Sequence, residues 1–239
     1  MRLDKLIANS GFGTRNEVKK FIKKGLVTVN GQPAKSGTAH VDPDKDEVVV
    51  NGVEIDYREF VYLMMNKPQD YISATEDRTH ATVLDLIDPY YHHFDLFPMG
   101  RLDKDTEGLL ILTNDGKLAH QVLSPKKHVE KTYYVEVEGR VTEDDVKLFE
   151  KGLDLGDFTS MPAQLAIIAA GEVSTAIVVI KEGKYHQVKR MFEAVGKEVC
   201  YLKRIQMGGL ELDEELELGE YKELTQEDLD QLLGKSVKA

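Results

Sequence analysis

Residues 3–7 and 18–22 each place apolar side chains at positions i, i+3 and i+4, the spacing of one face of a helix. Thr14 and Glu17 precede the second stretch at the spacing of a capping box, and Gly25 can end it in the left-handed conformation. Short strand-like segments with two Asn-Gly turns follow. The pattern therefore predicts a small N-terminal domain of two helices followed by strands, over residues 1–58.

The remainder of the chain mixes two kinds of hydrophobic pattern in no regular order. Residues 60–68 form an apolar run typical of a buried strand, and residues 131–141 alternate apolar and polar side chains. Residues 185–196 show helical spacing, with Val188 among the apolar positions. Because strands and helices do not alternate as βαβ units, we expect an α+β domain over residues 59–239, built on a mixed, largely antiparallel sheet.

Composition narrows the setting of the protein. The chain has 239 residues and one cysteine, Cys200, so it can form no internal disulfide and no cysteine-based zinc site. Its N-terminus lacks the apolar core of a signal peptide, and no apolar run approaches the roughly 20 residues that span a bilayer. We therefore expect a cytoplasmic protein without a membrane partner.

The charge is distributed unevenly. The net charge is −11, yet residues 1–35 hold eight Lys or Arg and only two Asp or Glu. Residues 211–239 hold ten Asp or Glu and three Lys. A local basic patch, and not the total charge, decides whether a protein can bind phosphate, so the N-terminal domain is a candidate RNA-binding surface. Solvation of a helix face is the alternative interpretation of its lysines.

The N-terminal sequence MRLDKLIANSGFGTRNEVKKFIKKGLVTVNG favours RNA binding, because it resembles the S4 domain. The resemblance covers about the first 55 residues in the order of elements that the hydrophobic pattern predicts. It implies an RNA partner without implying a reaction. By analogy, the side chains expected to contact the RNA backbone are Arg2, Arg15, Lys19, Lys20 and Lys23.

The stretch GRLDKDTEGLLILTNDG, residues 100–116, places three acids directly before an apolar run. A calcium loop that began at Asp103 would need a glutamate at its twelfth position, which is Asn114, so we expect no metal here. A solvated turn accounts for Asp105 but not for the buried-type Leu102 beside Asp103. The third interpretation is a catalytic acid held at the end of a strand.

Further motifs support the catalytic interpretation. The form G-R-L-D-x-x-T-x-G-L resembles the active-site motif of RsuA-type ribosomal RNA pseudouridine synthases. Segments similar to that family follow in the expected order, and together with the S4 domain they span nearly the whole chain: LMMNKP (63–68), SPKKHVEKTY (124–133) and EGKYHQVKRMFEAVG (182–196). In this resemblance, Asn66 and Lys67 belong to a turn with a structural role.

The resemblance implies roles for individual residues. Asp103 matches the essential aspartate, Lys189 the basic residue placed against it, and Tyr133 the active-site tyrosine. A carboxylate among apolar neighbours needs a cation to stay ionised, and helix geometry puts Lys189 at the edge of the apolar face. Periodicity alone would make Tyr133 a core residue. Arg101 and Arg190 are expected to contact RNA.

The expected reaction is the isomerisation of one uridine in 16S rRNA to pseudouridine. It exchanges no electrons or groups with another molecule, so we expect no cofactor. The alternatives are a synthase of the same family that acts on 23S rRNA and a non-catalytic RNA-binding assembly factor. A glycosidase would need a second positioned carboxylate. The expected partner is 16S rRNA or a small-subunit assembly intermediate, bound by a monomer with no obligate protein partner.

Overall fold

The computed structural model describes residues 1–124 and 127–235, and contacts group these into two compact units. One unit comprises Met1–Val61 and Asp88–Leu96. The other comprises Tyr62–Ile87 and the described residues from Phe97 onward. The contacts thus assign a short internal segment to the N-terminal unit. The division into domains 1–58 and 59–239 stays a prediction.

The first unit packs two helices against a small antiparallel sheet. The helices are α1 (Leu3–Asn9) and α2 (Arg15–Lys23), and the strands are β1 (Val27–Val29), β2 (Gln32–Pro33), β3 (Val48–Val50) and β4 (Val53–Glu54). The strand order is β2-β1-β3-β4. The apolar positions read from the sequence form its core, with Leu3, Val18 and Val27 fully buried.

The expected capping box at the start of α2 is present. The Glu17 amide donates to Thr14 Oγ1 at 3.3 Å, and the Thr14 amide donates to Glu17 Oε2 at 2.7 Å. These bonds satisfy two backbone donors that the first helical turn leaves unpaired. At the other end Gly25 has a φ of +71°, the left-handed conformation predicted for the helix stop.

The second unit is built on one large sheet with helices around it. Its strands are β5 (Tyr62–Lys67), β6 (Phe97–Met99), β7 (Glu107–Thr113), β8 (Lys131–Glu138), β9 (Gln164–Ala169), β10 (Val173–Ile180), β11 (Glu198–Met207), β12 (Leu210–Glu211) and β13 (Tyr221–Glu223). Its helices are α3 (Gly116–Leu123), α4 (Glu143–Lys151), α5 (Gln187–Ala194) and α6 (Gln226–Leu232). The 3₁₀ turns Val83–Leu86 and Pro89–Phe94 also occur among the described residues, the second within the first unit.

The strand order explains where the core lies. Among the described residues the order is β13-β5-β7-β11-β8-β10-β9, with β12 beside β11 and β6 beside β7. The β7–β11 pair is parallel and the other described pairs of this sheet are antiparallel. The predicted α+β class and largely antiparallel sheet are confirmed. Every residue of β7 is buried, as expected of a central strand that is covered on both faces.

The alternation expected in β8 is also present. Tyr133, Val135 and Val137 are buried on one face, while Tyr134 and Glu136 on the other are partly exposed. Tyr133 on the buried face of β8 and the buried Val188 of α5 line one cavity, together with Leu202 of β11. The buried face of β8 therefore lies towards α5. This arrangement brings the helix of the 182–196 motif next to the strand of the 124–133 motif.

The helices of the described residues are short. They contain seven to nine residues each, whereas roughly 20 apolar residues are needed to cross a bilayer. Across residues 1–124 and 127–235, none has the length and apolar character of a transmembrane span.

Candidate active site

The acid at the centre of the site lies in a tight turn that leads into β7. The Thr106 amide donates to the Asp103 carbonyl at 3.1 Å, which closes the turn. Before it, Leu102 is buried, and its amide and carbonyl both bond the Ser73 hydroxyl, at 3.0 and 2.9 Å. The backbone on either side of Asp103 is therefore fixed, while its side chain keeps 30% of its surface exposed.

A buried lysine at the end of β5 supports this turn. Lys67, at the end of β5, has no exposed surface, and its Nζ donates to the carbonyls of Pro68, Lys104 and Thr106 at 2.9, 3.3 and 2.8 Å. Burial lowers the pKa of Lys67 to about 8, and nearby acids, led by Asp105, oppose that shift. The ammonium thus satisfies three carbonyls that the tight turn directs inward.

Two basic side chains face the acids from the other side. Lys189 Nζ lies 3.9 Å from Asp103 Oδ2, and His186 Nε2 lies 3.6 Å from Asp103 Oδ1. Lys189 is closer still to Asp105, at 2.6 and 2.7 Å from its two carboxylate oxygens. Sequence reasoning placed Lys189 against Asp103 and assigned no chemistry to Asp105. The structure places the ammonium beside both acids.

The contact with Lys189 changes the acidity of Asp105. Burial acts to raise the pKa of that carboxyl, but the hydrogen bond and the charge of Lys189 outweigh it, so the pKa lies below its usual value. Asp105 is therefore an ionised partner that holds the Lys189 ammonium next to Asp103. An exposed acid two residues from the candidate catalytic acid gave no sign of this in the sequence.

The loop before α5 is fixed by a buried glutamine. The Gln187 Nε2 donates to Glu182 Oε1 at 2.9 Å, and the Lys184 amide donates to Gln187 Oε1 at 3.0 Å. His186 adopts a left-handed φ of +49°, uncommon for a residue other than glycine. These bonds hold the conformation that directs His186 and Lys189 towards Asp103.

A cavity opens between the turn of Asp103, strand β8 and the loop before α5. Its lining includes Arg101, Asp103, Thr106, Tyr133, Lys184 and His186. Tyr133 is largely buried yet contributes to this lining, so it is both a core residue and a site residue. The Thr106 hydroxyl is buried and has no hydrogen-bond partner among the described residues.

Strands β7 and β11 approach each other closely beside the cavity. Gly108 has a φ of +101°, and a Cβ there would lie 2.2 Å from the carbonyl oxygen of Arg204 on β11. Arg204 is buried and donates from Nε to the Leu109 carbonyl at 2.8 Å. Arg204 also pairs in register with Tyr133 of β8. Glycine at 108 therefore lets the Asp103 turn sit one strand away from Tyr133.

The residues expected to contact RNA differ in their surroundings. Arg101 is exposed at the cavity, whereas Arg190 donates to the Leu155 carbonyl at 2.6 Å and to the Asp157 carboxylate. In the first unit, Arg2 forms two bonds to Asp4, at 3.0 and 2.6 Å. The exposed basic residues of α2 are Arg15, Lys19, Lys20 and Lys23.

Comparison with known proteins assigns the chain to a family. A family model described as RNA pseudouridylate synthase matches residues 61–194, more than half of the chain. The chain belongs to this family. An S4 domain model matches residues 1–48, so both resemblances read from the sequence are confirmed. The protein is an RNA pseudouridine synthase with an N-terminal S4 domain.

Relatives extend the similarity over almost the whole synthase. It is 55% identical over 231 residues to an uncharacterized RNA pseudouridine synthase of Bacillus subtilis, covering 96% of this chain and 97% of that protein. It is 39% identical to the ribosomal small subunit pseudouridine synthase A of Escherichia coli K12, covering 96% and 98%. A crystal structure of a pseudouridylate synthase aligns with a TM-score of 0.68 at 38% identity, covering 97% and 99%.

The lowered pKa of the buried Lys67 predicts how the free energy of unfolding of the synthase changes with pH. With a pKa of about 8 in the folded state and 10.5 as the reference, Lys67 binds more protons in the unfolded state between these values. Its contribution to stability therefore rises with pH in that window. The free energy of unfolding of the natural protein minus that of Lys67→Met should therefore increase by about 2 kcal/mol as the pH rises from 7.5 to 10.

Urea denaturation of both proteins across this pH range measures the difference. Lys104→Met is the matched control, because it removes an exposed ammonium from the same loop. Its pH dependence should run parallel to that of the natural protein. A constant difference between the natural protein and Lys67→Met would show that Lys67 has the same pKa in the folded and unfolded states, and would contradict the prediction.

Proposed function

We propose that this synthase converts one specific uridine of 16S rRNA to pseudouridine, with Asp103 as its catalytic residue. The observation that carries the catalytic assignment is the convergence of Asp103, Tyr133 and His186 at one cavity, with Lys189 3.9 Å from Asp103. The choice of RNA is supported by the E. coli relative, which is named for the small ribosomal subunit and is similar over 96% of this chain.

The reaction is a rearrangement within one nucleotide. The bond between N1 of uracil and C1′ of the sugar breaks, the base turns, and a bond forms between C5 and C1′. The proton at C5 is lost and N1 gains one, so atoms and electrons balance without another reactant. Asp103 starts this sequence by acting on the sugar, either as a nucleophile at C1′ or as the base that withdraws a sugar proton.

Both roles of Asp103 require an ionised carboxylate, and two basic side chains lie against it. Lys189 and His186 approach its two oxygens at 3.9 and 3.6 Å. Asp105 anchors Lys189 from its outer side, which keeps the ammonium in place when the nucleotide enters.

The remaining residues of the cavity suit a uridine that has left its stack. An enzyme that acts on a base within folded RNA must first extrude the nucleotide. The ring of Tyr133 lines the cavity and offers a flat surface for the uracil. Arg101 and Lys184 are exposed beside the cavity, where their charges can neutralise the phosphates of the flanking nucleotides.

In this proposal the first unit binds the RNA backbone and takes no part in the chemistry. Arg15, Lys19, Lys20 and Lys23 are exposed along α2, and Arg2 keeps part of its guanidinium exposed while it bonds Asp4. Such contacts to phosphates fix the orientation of the RNA and carry little sequence information. Arg190 already bonds Leu155 and Asp157, so we assign it to the support of the loop near α5 in addition to the RNA.

The proposal predicts which of two neighbouring acids is essential. The natural protein should release tritium from unmodified 16S rRNA labelled at C5 of uridine. Asp103→Asn should lower the rate by about 10³-fold or more, because it removes the group that acts on the sugar. Asp105→Asn should lower the rate much less, by about tenfold, because the remaining side-chain oxygen can still accept a bond from Lys189 and keep it near Asp103.

The same assay on three RNA substrates tests the proposed substrate. Naked 16S rRNA, small-subunit assembly intermediates and 23S rRNA are tested in parallel. Release from 23S rRNA alone would overturn the proposed substrate. Release by Asp103→Asn at the natural rate would overturn its catalytic role, and silence on all three RNAs would contradict the proposed function.

The role of α2 predicts a change in the salt dependence of RNA binding. If Lys19, Lys20 and Lys23 each neutralise a phosphate, replacing all three with Gln removes three contacts. The slope of log affinity against log salt should then become shallower by about 2 to 3.

Lys45→Gln serves as the control in the same unit, because Lys45 is exposed but bonds Asp42 at 2.9 Å. Its slope should stay close to the natural one. A triple variant with the natural slope would remove these lysines from the RNA interface.

A further inference from the structure

Tyr185 is the most exposed of the large apolar side chains that the structure describes, with 72% of its surface open to solvent. Single exposed apolar residues are common and need no explanation. Tyr185 differs from such residues in its position, because it lies in the loop that lines the cavity of Asp103. The catalytic assignment gives it no role.

The ring of Tyr185 is connected to Asp103 through the ring of His186. It stacks on the His186 ring with 3.8 Å between centroids and 16° between planes. The His186 Nε2 lies 3.6 Å from Asp103 Oδ1, and His186 lines the cavity. Two parallel rings therefore lead from the reacting position towards solvent.

The stack is held by bonds on the inner side of the loop. The buried Gln187 bonds both Glu182 and the Lys184 amide, and the Glu182 carboxylate also accepts from the Met161 amide at 2.7 Å. The Lys184 ammonium lies 3.6 Å from the centre of the Phe158 ring. A pair of rings fixed in this way loses little conformational entropy when a flat group stacks on it.

We propose that the Tyr185–His186 stack is a second nucleobase subsite, which binds an unpaired base next to the target uridine. This inference rests on the proposed function and extends it to the neighbouring nucleotide. Extrusion of the uridine leaves the flanking bases without a stacking partner. A nucleobase has a π face of the right kind for an exposed tyrosine ring.

The charge around the stack favours RNA as the occupant. Lys184 precedes Tyr185 directly, and Arg101 is exposed at the same cavity. These cations suit the phosphates on either side of a stacked base. The subsite would thus take part in the choice of the nucleotide to be modified, by requiring an adjacent base that can stack.

The test compares Tyr185→Ala with Tyr185→Phe on a fragment of 16S rRNA that carries the uridine mapped by tritium release. Stacking of one base predicts that Tyr185→Ala lowers kcat/KM by about tenfold or more. Tyr185→Phe keeps the ring and should stay within about threefold of the natural protein. Ile168→Ala, which removes another exposed apolar side chain, should have no effect.

Abasic substitutions identify the stacked nucleotide. Removing the base at one flanking position should lower kcat/KM of the natural protein as much as Tyr185→Ala does. At that position, Tyr185→Ala should cause no further loss. Losses that multiply at every flanking position would overturn the subsite, as would a Tyr185→Ala protein with natural kcat/KM.

Affinity separates the subsite from the proposed function. In an Asp103→Asn background, which cannot turn over, Tyr185→Ala should weaken binding of 16S rRNA by about tenfold. Failure of the proposed function would appear as an absence of tritium release by the natural protein. Equal affinities with and without Tyr185 would overturn the subsite, whether or not the natural protein releases tritium.

Discussion

A fully buried ammonium holds the acidic turn of this synthase in place. Lys67 donates to the carbonyls of Pro68, Lys104 and Thr106, and so joins the end of β5 to the start of β7. The acids of the turn then face outward, where Lys189 contacts Asp105 and approaches Asp103. The acidic turn lies between two lysines, and the position of its acids depends on them.

The same arrangement connects chemistry with recognition. Gly108 lets β7 and β11 approach, which sets the Asp103 turn close to the strand of Tyr133. Gln187 fixes the loop that presents His186 to Asp103 and Tyr185 to solvent. Asp103, Tyr133 and Tyr185 therefore lie on three elements, and the backbone of each element is held by its own contacts. A bound nucleotide thus meets a preorganised site.

The sequence predicted the features that depend on neighbouring residues along the chain. The capping box of α2 and the alternation of β8 are local patterns, and both are present. Strand β11 lies at the centre of the sheet, but the adjacent Lys203 and Arg204 hide its hydrophobic pattern. Arg204 is buried because it bonds the Leu109 carbonyl of another strand. The contact between Lys189 and Asp105 likewise depends on packing between distant segments, which no spacing rule shows.

The pairing of Lys189 with the acidic turn is the central claim, and a comparison of turnover with affinity for Lys189→Met tests it most directly. Single-turnover release from 16S rRNA should fall by about 100-fold or more, because the cation facing Asp103 is lost. RNA affinity should stay within about threefold, because the ammonium contacts acids and not phosphates. A near-natural rate, or a loss of rate matched by an equal loss of affinity, would contradict the account.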